Sequence, residues 1–302
     1  MVQRLSFHDE IRRNKIKSFV MIVVIFIAFI VLGAVISLAV DPGFFFVIMI
    51  FSTIFSLAYI LISYYNSDKI AIASVRAKKA SRTEHRMFYH AAEAMSISSG
   101  LPMPKLYVME SSQINAFASG RDPKNAVICV TTGCLKKLNK QELEGVIAHE
   151  MSHIANYDIR YMTIVAVMVG LISIVSQLFL RSLWFSGRGG DRDNGRAQVV
   201  LMIVAIVLAI VAPIVVQLVS LAVSRKREFA ADATGVKFTR YPPGLKSALE
   251  KIRSEHMSIE DKKKFPSAVA PLFISYPFKK KISGLFATHP AIDERIKKLE
   301  RM

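Results

Sequence analysis

Apolar positions in this chain come in blocks. Residues 18–40, 44–65, 161–180 and 197–224 carry no charged side chain. Each block reaches the roughly 17–25 residues that cross a bilayer's hydrocarbon core. The pattern predicts four transmembrane helices arranged as two hairpins. Asp41-Pro42-Gly43 closes the first, and the loop Arg181 to Arg196 joins the second. Pro213 predicts a kink in the fourth span. Residues 18–40 exceed the roughly 7–15 apolar residues of a signal peptide, so the first span reads as an uncleaved anchor.

Between and after the hairpins the chain becomes polar and mixed. Apolar residues at helical spacing predict a helix over 70–99. Three short β-like runs follow: Leu106-Tyr107-Val108, Ala116-Phe117-Ala118, and Ala126 to Thr131. They predict a small sheet. Asn139, with Glu142 three residues on, predicts a capped helix running to Tyr157. Its apolar repeat is Leu143, Val146, Ile147 and Ile154. Residues 225–302 read as helix-rich, with turns at Tyr241-Pro242-Pro243-Gly244, Phe265-Pro266 and His289-Pro290. The expected class is mainly α, with four transmembrane helices and a cytoplasmic α+β part holding a small β-sheet. The expected divisions are 1–65, 66–160, 161–224 and 225–302.

Composition agrees with the blocks. The 302 residues are 52% hydrophobic, and mean hydropathy is +0.37. That excludes a disordered chain, a collagen-like fibre, a disulfide scaffold and a wholly soluble globule. The formal charge is +17. Its placement matters more than its size. Arg4, Arg12, Arg13, Lys15 and Lys17 precede the first block, and Lys69, Arg76, Lys78, Lys79, Arg82 and Arg86 follow the second. Basic flanks stay in the cytoplasm, which puts the Asp41–Gly43 turn outside. No basic stripe with interleaved aromatics suggests nucleic acid. Arg181, Arg188, Arg192 and Arg196 fit the rule poorly, because two crossing spans would place their loop outside. Cys129 and Cys134 read as inert buried thiols in a reducing compartment.

The chemistry begins at His149-Glu150-Met151-Ser152-His153. Two histidines at i and i+4 share one helical face and can grip one zinc ion. The intervening glutamate lies where it can take a proton from a metal-bound water. The bland alternative is a surface helix with two histidines. The apolar repeat of this helix argues against it, since a packed helix needs a reason for paired imidazoles. A catalytic site needs a third protein ligand and an open position. Glu228 and Asp232 are again four apart, after the fourth block. Two readings stay open there: ligand plus histidine-orienting partner, or an exposed helix start offsetting Arg225, Lys226 and Arg227.

Residues 149–153, Glu228-Phe229-Ala230-Ala231-Asp232, Asn115-Ala116-Phe117-Ala118 and Thr288-His289-Pro290 together resemble the HtpX family of membrane-bound zinc endopeptidases. They resemble type I CAAX prenyl endopeptidases more distantly. The likeness covers essentially the whole chain. It implies one Zn2+ held by His149, His153 and Glu228, with Glu150 as general base in a zincin-like protease domain. It also implies a transition-state role for His289, supporting roles for Asp232 and Arg295, and a substrate contact at Asn115. The implied setting is the inner or plasma membrane, with the active site facing the cytoplasm. The implied substrates are misfolded or damaged membrane proteins, with self-cleavage.

Three competing functions fit less well. CAAX-type processing enzymes carry more spans around a large chamber. A non-catalytic zinc-binding scaffold has no use for a base at Glu150. A transporter needs ionisable residues near mid-bilayer, and the charge-free blocks lack them.

Overall fold

The computed structural model describes residues 45–164, 225–255, 272–274 and 290–302, with scattered positions between 12 and 43. Most of the third block, the whole fourth block, the 181–196 loop, Pro213, the Phe265-Pro266 turn and His289 lie outside the described residues. Helix α1, Phe45–Tyr65, is the one described helix long and apolar enough to cross a membrane. Its large side chains point outward, with Phe46 77% and Phe51 69% exposed. An apolar helix that buries so little against protein is suited to a lipid surround.

A single helix over 70–99 does not form. The chain makes α2 (Ser67–Ser74), strand β1 (Lys78–Lys79) and α3 (Arg86–Ser99) instead. Arg76 turns the backbone into the left-handed region at φ 52, which ends a helix as glycine would. The three expected strands do form, as β2 (Lys105–Met109), β3 (Ala116–Ser119) and β4 (Val127–Thr131). With β1 they make one mixed sheet in the order β1-β2-β4-β3. β2 runs parallel to β4, Leu106 opposite Ile128. β3 runs antiparallel to β4, Phe117 opposite Cys129.

Alternation along these strands feeds two cores. Leu106, Ala116, Ile128 and Val130 face a layer of helices. That layer comprises α3, α5 (Lys140–Ala155), α7 (Pro242–Ser254) and α8 (Ile292–Leu299). Met109, Phe117, Val127 and Cys129 face the other way, against Ala71 and Ile72 of α2, Met162, Leu272 and Phe273. Between sheet and α5 lies the short helix α4 (Thr132–Lys137), capped by the Thr131 hydroxyl. Both cysteines are free and buried. The expected turn at Tyr241–Gly244 is instead the first turn of α7, where proline's missing N–H is no loss.

Helix α5 is the spine of this half of the molecule. The Asn139 side chain accepts from the Glu142 N–H at 2.9 Å, and Glu142 Oε2 accepts from the Asn139 N–H at 2.8 Å. This reciprocal cap satisfies two otherwise orphaned donors. Gly145 lets α7 come close, since a Cβ there would meet the Leu245 backbone at 2.6 Å.

Candidate active site

The far half of α5 carries His149, Glu150 and His153, all buried. The i, i+4 spacing brings the imidazoles together, with their Nε2 atoms 3.3 Å apart. Helix α6 (Arg225–Thr239) packs across this stretch. Gly235 makes the approach possible, because a Cβ there would stand 3.1 Å from the His149 backbone nitrogen. Glu228, one helical turn into α6, then reaches both rings. Its Oε2 lies 3.5 Å from His149 Nε2, and its Oε1 lies 3.9 Å from His153 Nε2. One donor atom from each of His149, His153 and Glu228 falls within 4.8 Å of the others. Glu228 and Asp232 are 1% and 2% exposed. The reading of them as a solvated helix start is therefore wrong: tertiary packing draws the carboxylates inward.

The outer nitrogens of the two rings face aspartates. His149 Nδ1 stands 2.9 Å from Asp232 Oδ1. Arg295, from α8, grips that aspartate with two bonds, Nε to Oδ2 at 2.8 Å and Nη2 to Oδ1 at 2.6 Å. A planar guanidinium fits a carboxylate in this way. His153 Nδ1 stands 3.1 Å from Asp158 Oδ2. Asp158 is a residue the sequence reading missed. It follows Tyr157, whose φ of 59 ends α5 and starts a new helical stretch, 158–164. The one available signal was an acidic residue three positions before a charge-free block.

The buried cluster holds four carboxylates, Glu150, Asp158, Glu228 and Asp232, against two guanidiniums, Arg227 and Arg295. That leaves two negative charges to neutralise, and unpaired buried charge is costly. In the protein alone, protons answer the deficit. Burial and Arg295 pull the His149 pKa down, but Asp232 and Glu228 outweigh them and raise it to about 9. Burial pushes Glu150 up, beyond what the imidazoles and the Ala118 N–H offset. Neither Glu150 oxygen has a well-formed hydrogen bond among the described residues. Two imidazoles, a carboxylate and a twofold charge deficit together fit one divalent cation of the zinc type.

Strand β3 passes beside α5. Asn115 precedes it, buried, its Oδ1 accepting from the Ala116 N–H at 3.1 Å. Asn115's carbonyl turns to β4, accepting from Thr131 at 3.0 Å. Ala116 and Ala118 therefore turn the other way, toward the strand's outer edge. There the Ile274 N–H donates to the Ala116 carbonyl at 2.9 Å, and Phe273 packs edge-on against Phe117 with centroids 5.0 Å apart. Arg295 Nη1 donates to the Ile274 carbonyl at 3.0 Å. The structure thus brings together His149, Glu150, His153, Glu228, Asp232 and Arg295. Asn115 heads the neighbouring strand. His289 is outside the described residues, directly before Pro290 at the entry to α8.

Comparison with known proteins gives the same answer along the chain. Residues 81–302 match Peptidase family M48. A protease HtpX homologue of Caldanaerobacter subterraneus subsp. tengcongensis is 47% identical over 285 residues, covering 91% of this chain and 93% of its own. That of Dictyoglomus thermophilum is 42% identical over 298 residues, covering 98% and 95%. Among solved structures, the crystal structure of S. mikatae Ste24p matches with a TM-score of 0.54 at 18% identity. It covers 95% of this chain and 66% of that one, a likeness of fold. A family pattern across the site's elements, with relatives this similar over nearly full length, places the chain in Peptidase family M48, as a metalloprotease of the HtpX group.

Proposed function

We propose that this protein is a membrane-anchored zinc endopeptidase that cuts unfolded or damaged membrane proteins on the cytoplasmic side, its own chain included. The observation that carries the reading is the convergence of His149, His153 and Glu228 within 4.8 Å, with Glu150 adjacent on the same helix. These three would hold the metal and leave a position for water and substrate. The chemistry a zinc ion would supply there is a bound water whose pKa falls from about 15.7 toward about 7, and polarisation of a peptide carbonyl.

Glu150 does the proton work. Its carboxylate would take a proton from water and later give it to the leaving amine. Asp232 and Arg295 keep His149 turned so that Nε2, not Nδ1, faces Glu228. The outer edge of β3 suits an extended chain held by main-chain hydrogen bonds, which favours unfolded segments over a fixed sequence. Leu272–Ile274 lies beside Ala116 on that edge, and Ala118, whose N–H faces Glu150, is the position for the scissile segment. Asn115, at the head of the strand, and His289, before α8, are assigned to substrate and to the developing oxyanion. The outward apolar face of α1 and the four charge-free blocks support the membrane setting.

The test is Glu150→Gln in purified full-length protein in detergent. The variant is expected to keep one zinc per chain and lose cleavage of an unfolded membrane-protein substrate. Undiminished cleavage by this variant would refute the assignment. Cleavage confined to prenylated peptides would favour a CAAX-type enzyme instead.

A further inference from the structure

His153 is approached from the side away from Glu228 by a small buried network. Asp158 Oδ2 faces its Nδ1 at 3.1 Å. The other oxygen, Oδ1, receives two donors: Arg227 Nε at 3.0 Å and Asn14 Nδ2 at 2.8 Å. The Asn14 amide also donates to the Asn156 carbonyl at 3.0 Å. Asp158 is 1% exposed, Asn156 3%, His153 4% and Asn14 7%. Asn14 stands on the N-terminal helical segment that leads into the first charge-free block. A second contact docks that segment at the same place, with Lys15 Nζ 4.6 Å above the Tyr157 ring. Three distant parts of the sequence therefore meet behind one imidazole.

A neutral imidazole carries one N–H, and the hydrogen bond made by that N–H decides which nitrogen is left to bind a metal. An acceptor at Nδ1 fixes the proton there and turns the Nε2 lone pair toward Glu228. An aspartate can do this only if its own rotamer is fixed, and a buried carboxylate must find donors. Arg227 and Asn14 supply both. We propose that Asp158 is a positioning residue for His153, and that Asn14 holds Asp158, so the N-terminal anchor completes the metal site. The proposal rests on His149, His153 and Glu228 being the ligands.

The experiment measures zinc affinity by chelator competition, and the visible spectrum of the Co2+-substituted protein, for full-length chain in detergent. Asp158→Ala is expected to weaken zinc roughly 10- to 100-fold and to shift the cobalt bands. Asp158→Asn, which keeps an acceptor, should lose less. Asn14→Leu preserves volume but removes the donor, and should weaken zinc several-fold. In a double-mutant cycle that loss should vanish once Asp158 is Ala, an effect that mere packing by Asn14 would not give. Should Asp158→Ala fail to fold, Asp158→Asn and Asn14→Leu still decide the matter. Wild-type affinity and cobalt spectrum in both Asp158→Asn and Asn14→Leu overturn the proposal, and additive losses overturn the part played by Asn14. His153→Ala separates the two levels. If it keeps wild-type zinc affinity, the ligand reading falls and this proposal with it. If it loses zinc while the Asp158 variants do not, only the present proposal falls.

Discussion

The two histidines of α5 have matching supports built from different parts of the molecule. Each turns Nε2 toward Glu228 and Nδ1 toward an aspartate backed by an arginine. For His149 the support is Asp232 and Arg295, from α6 and α8. For His153 it is Asp158 and Arg227, with Asn14 added from the N-terminal segment. The first support closes within the helical layer over the sheet, and its guanidinium is the deeper one, 1% exposed against 9%. The second is shared with the N-terminal segment. The difference teaches that one end of the motif answers to the helical layer, and the other end to the N-terminal segment.

Four measurements probe that comparison. Arg295→Ala should do the most damage, because it strands Asp232 in the interior with its bidentate partner gone. Breaking such a buried pair costs about 3–5 kcal/mol, read as a drop in the thermal unfolding midpoint in detergent. An unchanged midpoint would remove Arg295 as the keystone of its side. Arg227→Ala should cost less, about 1.5–3 kcal/mol, because Asp158 retains the Asn14 amide. Equal losses in the two variants would erase the asymmetry between the supports.

Acidity tests the His149 side. That ring keeps its proton up to about 9 in the protein alone, and a ligand nitrogen must be free of it. Zinc uptake at pH 7 should therefore release about one proton from His149. Apparent affinity should weaken roughly tenfold per pH unit on descending from about 9. Calorimetry in buffers of different ionisation enthalpy measures the release, and none at all would contradict this picture. The smallest effect concerns the common root of both sides. Asn139→Ala should cost about 1 kcal/mol through the lost cap, with zinc affinity unchanged. Glu142 in the same cap is pushed up by burial, but Lys251, Ser247 and the Asn139 amide outweigh this and hold it below the usual carboxylate range. Its contribution is present above the unfolded value near 4.3, and is lost as pH falls through the lower folded one.

Much of the site was legible because local rules governed it. The spacing of His149 and His153, the Asn139 cap and the alternation in β2 and β4 each depend on neighbours in sequence. Glu228 and Asp232 were half legible: spacing put them on one face, but only packing could decide between solvent and core. Asp158 and Asn14 were not legible, since 144 positions separate the two partners. The break between α2 and α3 escaped for another reason. It turns on Arg76 and makes a two-residue lysine strand, where neither glycine nor proline marks the chain. Sheet order was equally hidden, because β3 follows β2 in sequence yet β4 lies between them.

The three residues Leu272–Ile274 on β3 carry a consequence beyond the site. A bare strand margin recruits any extended chain nearby, including sister copies, and so invites clumping. A protease of the proposed kind, acting on unfolded chains, would meet such neighbours constantly. Here a stretch of the protein's own backbone lies along that margin, with Phe273 tucked beneath and Ile274 pinned at both its amide and its carbonyl. Along the stretch it covers, that sheath blunts the risk of the strand sticking to its own kind.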